Sequence, residues 1–353
     1  MVLWVDKHRP VKIDQLECHG ELNQQLAQMA KKSDDLPHLL LHGPSGAGKR
    51  TRILVLLREI FGASALKLKI ESKTFKHGTR SIDVNIVSSN HHIELSPGDA
   101  GIYDTFIVQD LIKEMAQTQS LGATTNSKKF KVLVLNETDR LTKNAQQALR
   151  RTMEKYVSTC RIILSCENLS KIIDPLKSRC LLVRVPLPTS QNVLNVLNHV
   201  AQKENIQLSN EFAHKILQAN GNNIRKCLLS LEACRAQSYP FTMEQEIPQP
   251  DWEKLIEQIS NMIIQEQSPQ RIMIIRGKMY ELLVNCIPPS TIIRCLMDCL
   301  VNKLDDQLKP DIIELASEYD HRIQMGSKPI FHLEGFVANC MAKYKRFLME
   351  AYG

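Results

Sequence analysis

The sequence predicts an α/β domain with a parallel sheet flanked by helices, then a small helical domain, then an all-α C-terminal domain. Three observations carry that expectation. A glycine-rich turn stands between the apolar run His38-Leu39-Leu40-Leu41-His42 and a stretch that places Ile53, Leu56, Leu57 and Ile60 at helical spacing. The runs Val132-Leu133-Val134-Leu135 and Arg161-Ile162-Ile163-Leu164 are separated by a helical pattern from Thr142 to Tyr156, and Leu181-Leu182-Val183-Arg184-Val185 follows. Strands alternating with helices in this way imply a buried parallel sheet. After Pro186 the strand signals stop, and every later pattern is helical.

In chain order, residues 1–186 form the expected α/β domain, and the Lys-rich stretch from Lys67 to Arg80 reads within it as an exposed hairpin or loop. Residues 187–238 form a small helical domain interrupted by polar turns such as Asn220-Gly221-Asn222-Asn223. Pro240, Pro248 and Pro250 mark residues 239–250 as a linker. Residues 251–353 read as a helical bundle. Its helix starts are marked by Asp251 before Trp252, by Ser268-Pro269 and by Pro310-Asp311, and Gly326 marks a stop.

The 353 residues are long enough for two or three domains. Hydrophobic residues at 43% and charged residues at 24% fit a soluble globular protein, and no apolar run reaches the roughly 20 residues of a membrane span. No membrane partner is expected. The N-terminus has no basic stretch followed by an apolar segment, so no secretory signal is expected and a cytosolic or nuclear address follows. Ten cysteines are scattered through apolar runs without a CxxC pair, which reads as reduced core thiols. A formal charge of +7 permits contact with a phosphate backbone without requiring it.

Gly43-Pro44-Ser45-Gly46-Ala47-Gly48-Lys49 fits the phosphate loop GxxxxGK between a strand and a helix. Glycines let backbone amides turn inward around phosphates, the helix N-terminus adds its dipole, and Lys49 supplies a point charge. Arg50 then stands where a Ser or Thr hydroxyl would ligate Mg²⁺. Thr51 is a poor substitute, because one helical step turns a side chain by about 100 degrees. After the second apolar strand, Asn136 stands where a metal-holding Asp belongs, while Glu137 keeps the place of a residue that polarises water. An amide keeps the shape and loses the charge. These residues favour holding ATP or ADP over hydrolysing it, with Mg²⁺ weakly or not held and no side-chain metal set.

Four further stretches narrow the family. Trp4-Val5-Asp6-Lys7-His8-Arg9-Pro10, Ala148-Leu149-Arg150-Arg151-Thr152-Met153-Glu154, Lys177-Ser178-Arg179-Cys180 and Asn223-Ile224-Arg225-Lys226 are similar, in order, to motifs of replication factor C small subunits. The chain thus resembles an AAA+ clamp-loader family, and specifically the member with a degenerate site. The stretch Ser96-Pro97-Gly98-Asp99-Ala100-Gly101 points the same way. The resemblance implies an AAA+ domain, a helical lid and a collar through which the chain joins an open five-membered ring. It also implies a sliding clamp and primer-template DNA as partners, DNA being gripped without base reading, and a nuclear address.

By the same resemblance, Val5 and Arg9 lie near the adenine, Gly43 to Thr51 surround the phosphates, and Arg225 of the lid faces the γ-phosphate. His8 replaces the family Tyr, and Glu167 takes the place of the family's sensor Asn, with Asn168 next. Arg179 is the expected arginine finger, acting in trans at a neighbouring subunit's ATP site; the alternative is a plain pairing with a surface carboxylate. Lys113 matches a family DNA contact, with Gln109 in the place of a family Arg, and a solvated Lys113 is the alternative. Two rival functions remain at this level: an autonomous AAA+ ATPase, against which Arg50 and Asn136 argue, and a nucleotide-binding scaffold, against which Arg179 argues.

Overall fold

The computed structural model describes residues 2–32, 36–77, 80–117, 130–242 and 245–352. The chain divides into two compact units, Met1–Ile247 and Pro248–Gly353. The divide falls among the prolines that follow the last helix of the first unit.

The first unit is organised by a seven-stranded sheet. Its strands are β1 (Leu39–His42), β2 (Lys69–His77), β3 (Arg80–Ser88), β4 (His92–Leu95), β5 (Lys131–Leu135), β6 (Cys160–Cys166) and β7 (Leu181–Arg184), in the spatial order β2-β3-β4-β5-β6-β1-β7. From β4 to β7 every pairing is parallel; Leu40, for example, lies between Leu164 of β6 and Leu182 of β7. Central strands of such a sheet are covered on both faces, which is why β1 and β5 read as unbroken apolar runs rather than alternating ones. Leu39, Leu40, Leu41, Val132, Leu133, Val134 and Leu135 are accordingly all buried. The Lys-rich stretch expected as a hairpin or loop supplies strand β2, which pairs antiparallel with β3 beyond it at one end of the sheet. One of its lysines, Lys73, pairs with Glu114 on α4 (Asp104–Gln117) at 2.7 Å.

Two apolar clusters pack on this sheet. On one, α2 (Gly20–Lys31) and α3 (Lys49–Phe61) contribute Leu26, Ile53, Leu56 and Leu57; on the other, α4 and α5 (Lys143–Lys155) contribute Ile107, Leu111, Leu149 and Met153. The helix foreseen from Thr142 is α5, and Thr142 caps it by accepting from the Ala145 amide at 3.2 Å. Buried Asp104 joins α4 to α5, its carboxylate accepting from the Thr142 amide at 2.7 Å and from the Thr142 hydroxyl at 3.1 Å.

The three helices after β7 are α7 (Ser190–Lys203), α8 (Asn210–Asn220) and α9 (Ile224–Gln237), preceded by the single turn α6 (Asp174–Lys177). Their own core gathers Leu197, Phe212, Ile216 and Leu231, and it also takes in Trp4 of the opening turn α1 (Trp4–Lys7). The first residues of the chain therefore pack with this late helical region.

The second unit consists of α10 (Asp251–Gln265), α11 (Pro269–Val284), α12 (Pro289–Lys303), α13 (Lys309–Met325) and α14 (Pro329–Tyr352). They share one core that includes Ile259, Met279, Leu296, Leu333 and Phe336. Ser268 caps α11 by accepting from the Arg271 amide at 3.3 Å, and Gly326 ends α13. Among the described residues all cysteines are free, and burial pushes the thiols of Cys160, Cys166, Cys180 and Cys340 up to about 12. Among the described residues no helix is long and apolar enough to cross a membrane.

Candidate functional site

The site forms at the C-terminal edge of the parallel strands, where α/β sheets collect ligands. β1 ends at His42, and Gly43 begins the loop with its amide donating to the Cys166 carbonyl at 3.3 Å. Glycine is required here: Gly43 has φ 152° and a Cβ would lie 2.0 Å from the Val185 carbonyl oxygen. Gly46, at φ 76°, touches the lid so closely that a Cβ would meet Asn223 Oδ1 at 1.9 Å. That Asn223 oxygen also caps α9, accepting from the Lys226 amide at 3.1 Å. The loop and the helix bearing Arg225 are thus built against each other. Gly48 is the N-cap of α3, so its amides and the helix dipole face the loop.

Lys49 donates to the carbonyls of Gly43 (2.6 Å) and Pro44 (3.0 Å). Burial holds its ammonium below the usual lysine range, while Glu167 and Asp139 oppose that shift. A cavity of about 530 Å³ lies beside the loop, lined by Val5, Arg9, Gly46, Ala47, Gly48, Thr51, Ile224 and Arg225 among others. Val5, Arg9, Gly46, Ala47, Gly48, Thr51 and Arg225 of the residues assigned by resemblance thus line one cavity, while Gly43, Pro44, Ser45, Lys49 and Arg50 lie outside its lining. Pro44 and Ser45 are exposed at the loop's tip.

Arg50 does not stand alone. Its Nη2 donates to Glu94 Oε2 at 3.0 Å, and Glu94 is only 3% exposed. Behind that carboxylate lies buried His92, whose Nε2 is 3.7 Å from Glu94 Oε1 and whose Nδ1 is 2.8 Å from Ser89 Oγ. Burial would raise the Glu94 pKa, but His92 and Arg50 outweigh it and hold the carboxyl below its ordinary value. Arg9 is paired with Asp6 at 2.6 Å. Its pKa is lowered, by burial first, with Arg50 and Arg225 adding to the shift against the pull of Asp6. Arg50 and Arg225 thus act on the charge of Arg9, and Arg225 also acts on that of Lys49.

The second motif lies two strands along the sheet from the loop. Asn136 donates its amide to the Leu95 carbonyl at 2.9 Å, and Glu137 adopts a left-handed φ of 50°. The Glu137 carboxylate is half exposed and pairs with Arg140 at 3.0 Å. Thr138, fully buried, donates to the Ser165 carbonyl at 3.0 Å and ties the end of β5 to β6. The donor set does not fit a divalent cation: the place of the hydroxyl holds a cation bound to its own carboxylate, and the place of the Asp holds an amide. Among the described residues no group of three His, Cys, Asp or Glu side chains is arranged for a metal.

Arg179 sits outside this cavity, just after α6. Its Nε donates to Glu154 Oε1 at 2.6 Å and its Nη1 to the Pro175 carbonyl at 2.8 Å; Nη2 also contacts Glu154. Glu154 belongs to α5 and is 51% exposed. The surface pairing weighed as the alternative for Arg179 is thus present in the free chain. Lys113 is exposed on α4 and pairs with Asp110 at 3.3 Å.

Several site residues carry no signal in the motifs. Glu94 is one, and Asp139 beside Lys49 is another. Arg52 is a third: it is buried, and donates to the carbonyls of Ala47 (3.0 Å) and Cys18 (3.0 Å), fastening the loop to the segment before α2. Glu204 is a fourth, accepting from Lys7 Nζ and paired with His8 Nε2, both at 2.6 Å, so that the opening turn is fastened to the end of α7. His8, where the family has Tyr, is spent on this contact.

Family models match residues 252–348 (Replication factor C subunit 3, C-terminal domain), residues 195–236 (RCF1/5-like, AAA+ ATPase lid domain) and residues 18–189 (DNA polymerase III, delta subunit). The chain is 48% identical over 351 residues to replication factor C subunit 3 of Bos taurus and of Homo sapiens, covering 99% of this chain and 98% of each of those proteins. It is 47% identical over 356 residues to the subunit 3 of Arabidopsis thaliana, with both chains fully covered. Among solved structures, the Holliday junction branch migration motor RuvB of Thermotoga maritima superposes with a TM-score of 0.46 at 15% identity, covering 71% of this chain and 78% of that one.

Proposed function

This chain belongs to the replication factor C subunit 3 and 5 family of clamp-loader subunits, and we propose that within the hetero-oligomer it retains ATP or ADP in its own pocket while Arg179 completes hydrolysis in a neighbour's. The complex so formed loads a sliding clamp onto primer-template DNA in the nucleus, gripping DNA without reading bases. Lys113 is the residue of this chain assigned to the phosphate backbone, where a lysine contributes charge rather than sequence information.

The observation that carries this reading is the contrast within the site. The cradle from Gly43 to Lys49 is shaped and charged for phosphates, whereas Arg50 is bound to Glu94 and Asn136 brings no charge. Such a pocket holds a polyphosphate and lacks the groups that position a metal ion and water for attack. Val5, Arg9, Thr51 and Arg225 complete the lining, and Glu137, engaged by Arg140, is a vestige of the hydrolytic set.

Arg179 works by a different route. A fixed guanidinium placed against charge developing on phosphoryl oxygens contributes roughly 10³ to 10⁵ in rate, about 4 to 7 kcal/mol. To reach a neighbour it must exchange Glu154 for that charge. Reassembly of the complex with Arg179→Ala tests the assignment: DNA-stimulated ATPase and clamp loading both fall steeply, and unchanged rates remove the finger.

A further inference from the structure

P-loop sites ordinarily neutralise part of the nucleotide's charge with Mg²⁺, held by a loop hydroxyl and a carboxylate. Neither ligand is present here, and the residue in the hydroxyl's place is a cation. We propose that this site binds a nucleoside di- or triphosphate without a divalent cation, the guanidinium of Arg50, braced by buried Glu94, supplying the positive charge that the metal supplies elsewhere. The inference rests on the reading of the cavity as the nucleotide site.

The brace is what distinguishes Arg50 from a basic residue that merely follows Lys49. Glu94 lies on β4, three places along the sheet from β1, and is almost wholly enclosed. Enclosing a carboxylate costs several kcal/mol unless it is paired and hydrogen-bonded, so burial by itself calls for a fixed cation. Arg50 supplies that cation through one Nη2–Oε2 bond of 3.0 Å, while its side chain remains 43% exposed. Only Nη2 of the guanidinium is committed to Glu94. A guanidinium cannot be deprotonated in proteins and presents several donors in a rigid plane suited to phosphate oxygens. It therefore delivers charge permanently, with no coordination sphere to assemble.

The surrounding charges agree. Arg50 and Arg225 act on Arg9, and Arg225 acts on Lys49; both Arg9 and Lys49 are lowered from their ordinary values, burial leading. A polyanion relieves such crowding, whereas a divalent cation adds to it. His92 and Ser89 complete the support by fixing the far side of the Glu94 carboxylate.

The test is equilibrium binding of fluorescent ADP and ATP analogues to the full chain, in Mg²⁺ and in EDTA. Wild type binds with closely similar affinity in both. Arg50→Thr, which restores the loop hydroxyl, weakens binding in EDTA by about tenfold or more, as loss of a charge-assisted contact should. Glu94→Gln weakens it less, because Arg50 remains but is no longer anchored by a charge. Binding by wild type in Mg²⁺ that EDTA abolishes overturns the inference and leaves the nucleotide reading intact. Absence of binding in both buffers overturns both. Undiminished EDTA binding by Arg50→Thr overturns the role given to Arg50. The wild-type comparison needs no variant, so a poorly folded substitution does not blunt it.

Discussion

Two arginines of this chain each hold a glutamate, and the two glutamates differ in one respect: Glu94 is 3% exposed and Glu154 is 51% exposed. The first pair lies beside the glycine-rich loop, with a carboxylate that is almost wholly enclosed. Losing its partner strands a buried charge, so Arg50 is held in place by its surroundings. The second pair lies at the surface, where ion pairs contribute about 0 to 1 kcal/mol and exchange readily. Arg179 is therefore free to leave Glu154 for a better anion. The same chemical pair is a fixture in one place and an exchangeable surface contact in the other, and solvent access decides which.

Removing the two arginines should not cost the same. Arg50→Met should destabilise the first unit by about 2 to 3 kcal/mol in urea denaturation, because Glu94 is left with His92 alone. Arg179→Met should cost no more than about 1 kcal/mol. Equal losses would mean that the Glu94 pair is not the fixture described here.

Glu154→Gln sharpens the second half. It weakens the resting contact of Arg179 without touching the guanidinium, so stability changes by at most about 1 kcal/mol and the ATPase of the reassembled complex is retained. A loss as deep as that of Arg179→Ala would instead make Glu154 part of the catalytic arrangement.

The smallest effect concerns the opening turn. Hydrogen bonds from Lys7 and His8 push the Glu204 carboxylate down to about 2, below its ordinary 4.5. A carboxylate with a depressed folded-state pKa stabilises above its unfolded value, and the contribution fades as pH falls through the window from about 4.5 to about 2. Trp4 reports the event, since it packs in the core that Glu204 flanks. In a Trp252→Phe background, its fluorescence should change across that window, and Glu204→Gln should remove the step.

How much of this is legible in the sequence depends on distance along the chain. β1, the loop, α3, β5, β6 and β7 are readable because each is a local pattern: an apolar run, a glycine turn, a helical period. The Ser268 cap, the Gly326 stop and the hairpin after Lys67 are equally local. β4 is not readable, because its four residues, His92 to Leu95, include two polar side chains that look like surface until Arg50 is known to meet one of them. That pair spans 44 residues in sequence. The bond between Arg52 and Cys18, the salt bridge from Lys7 to Glu204, and the burial of Trp4 among α7 to α9 are hidden for the same reason. The motifs single out the glycine-rich loop and Arg179; the contacts that hold them come only from the folded arrangement.

Under the proposed function the cavity keeps its nucleotide without turning it over. Single-turnover hydrolysis of ATP by the purified full chain, set beside Glu137→Gln, tests it most directly. The expected result is slow hydrolysis that the substitution leaves unchanged. Rapid hydrolysis by the native chain, lost on Glu137→Gln, would contradict the account.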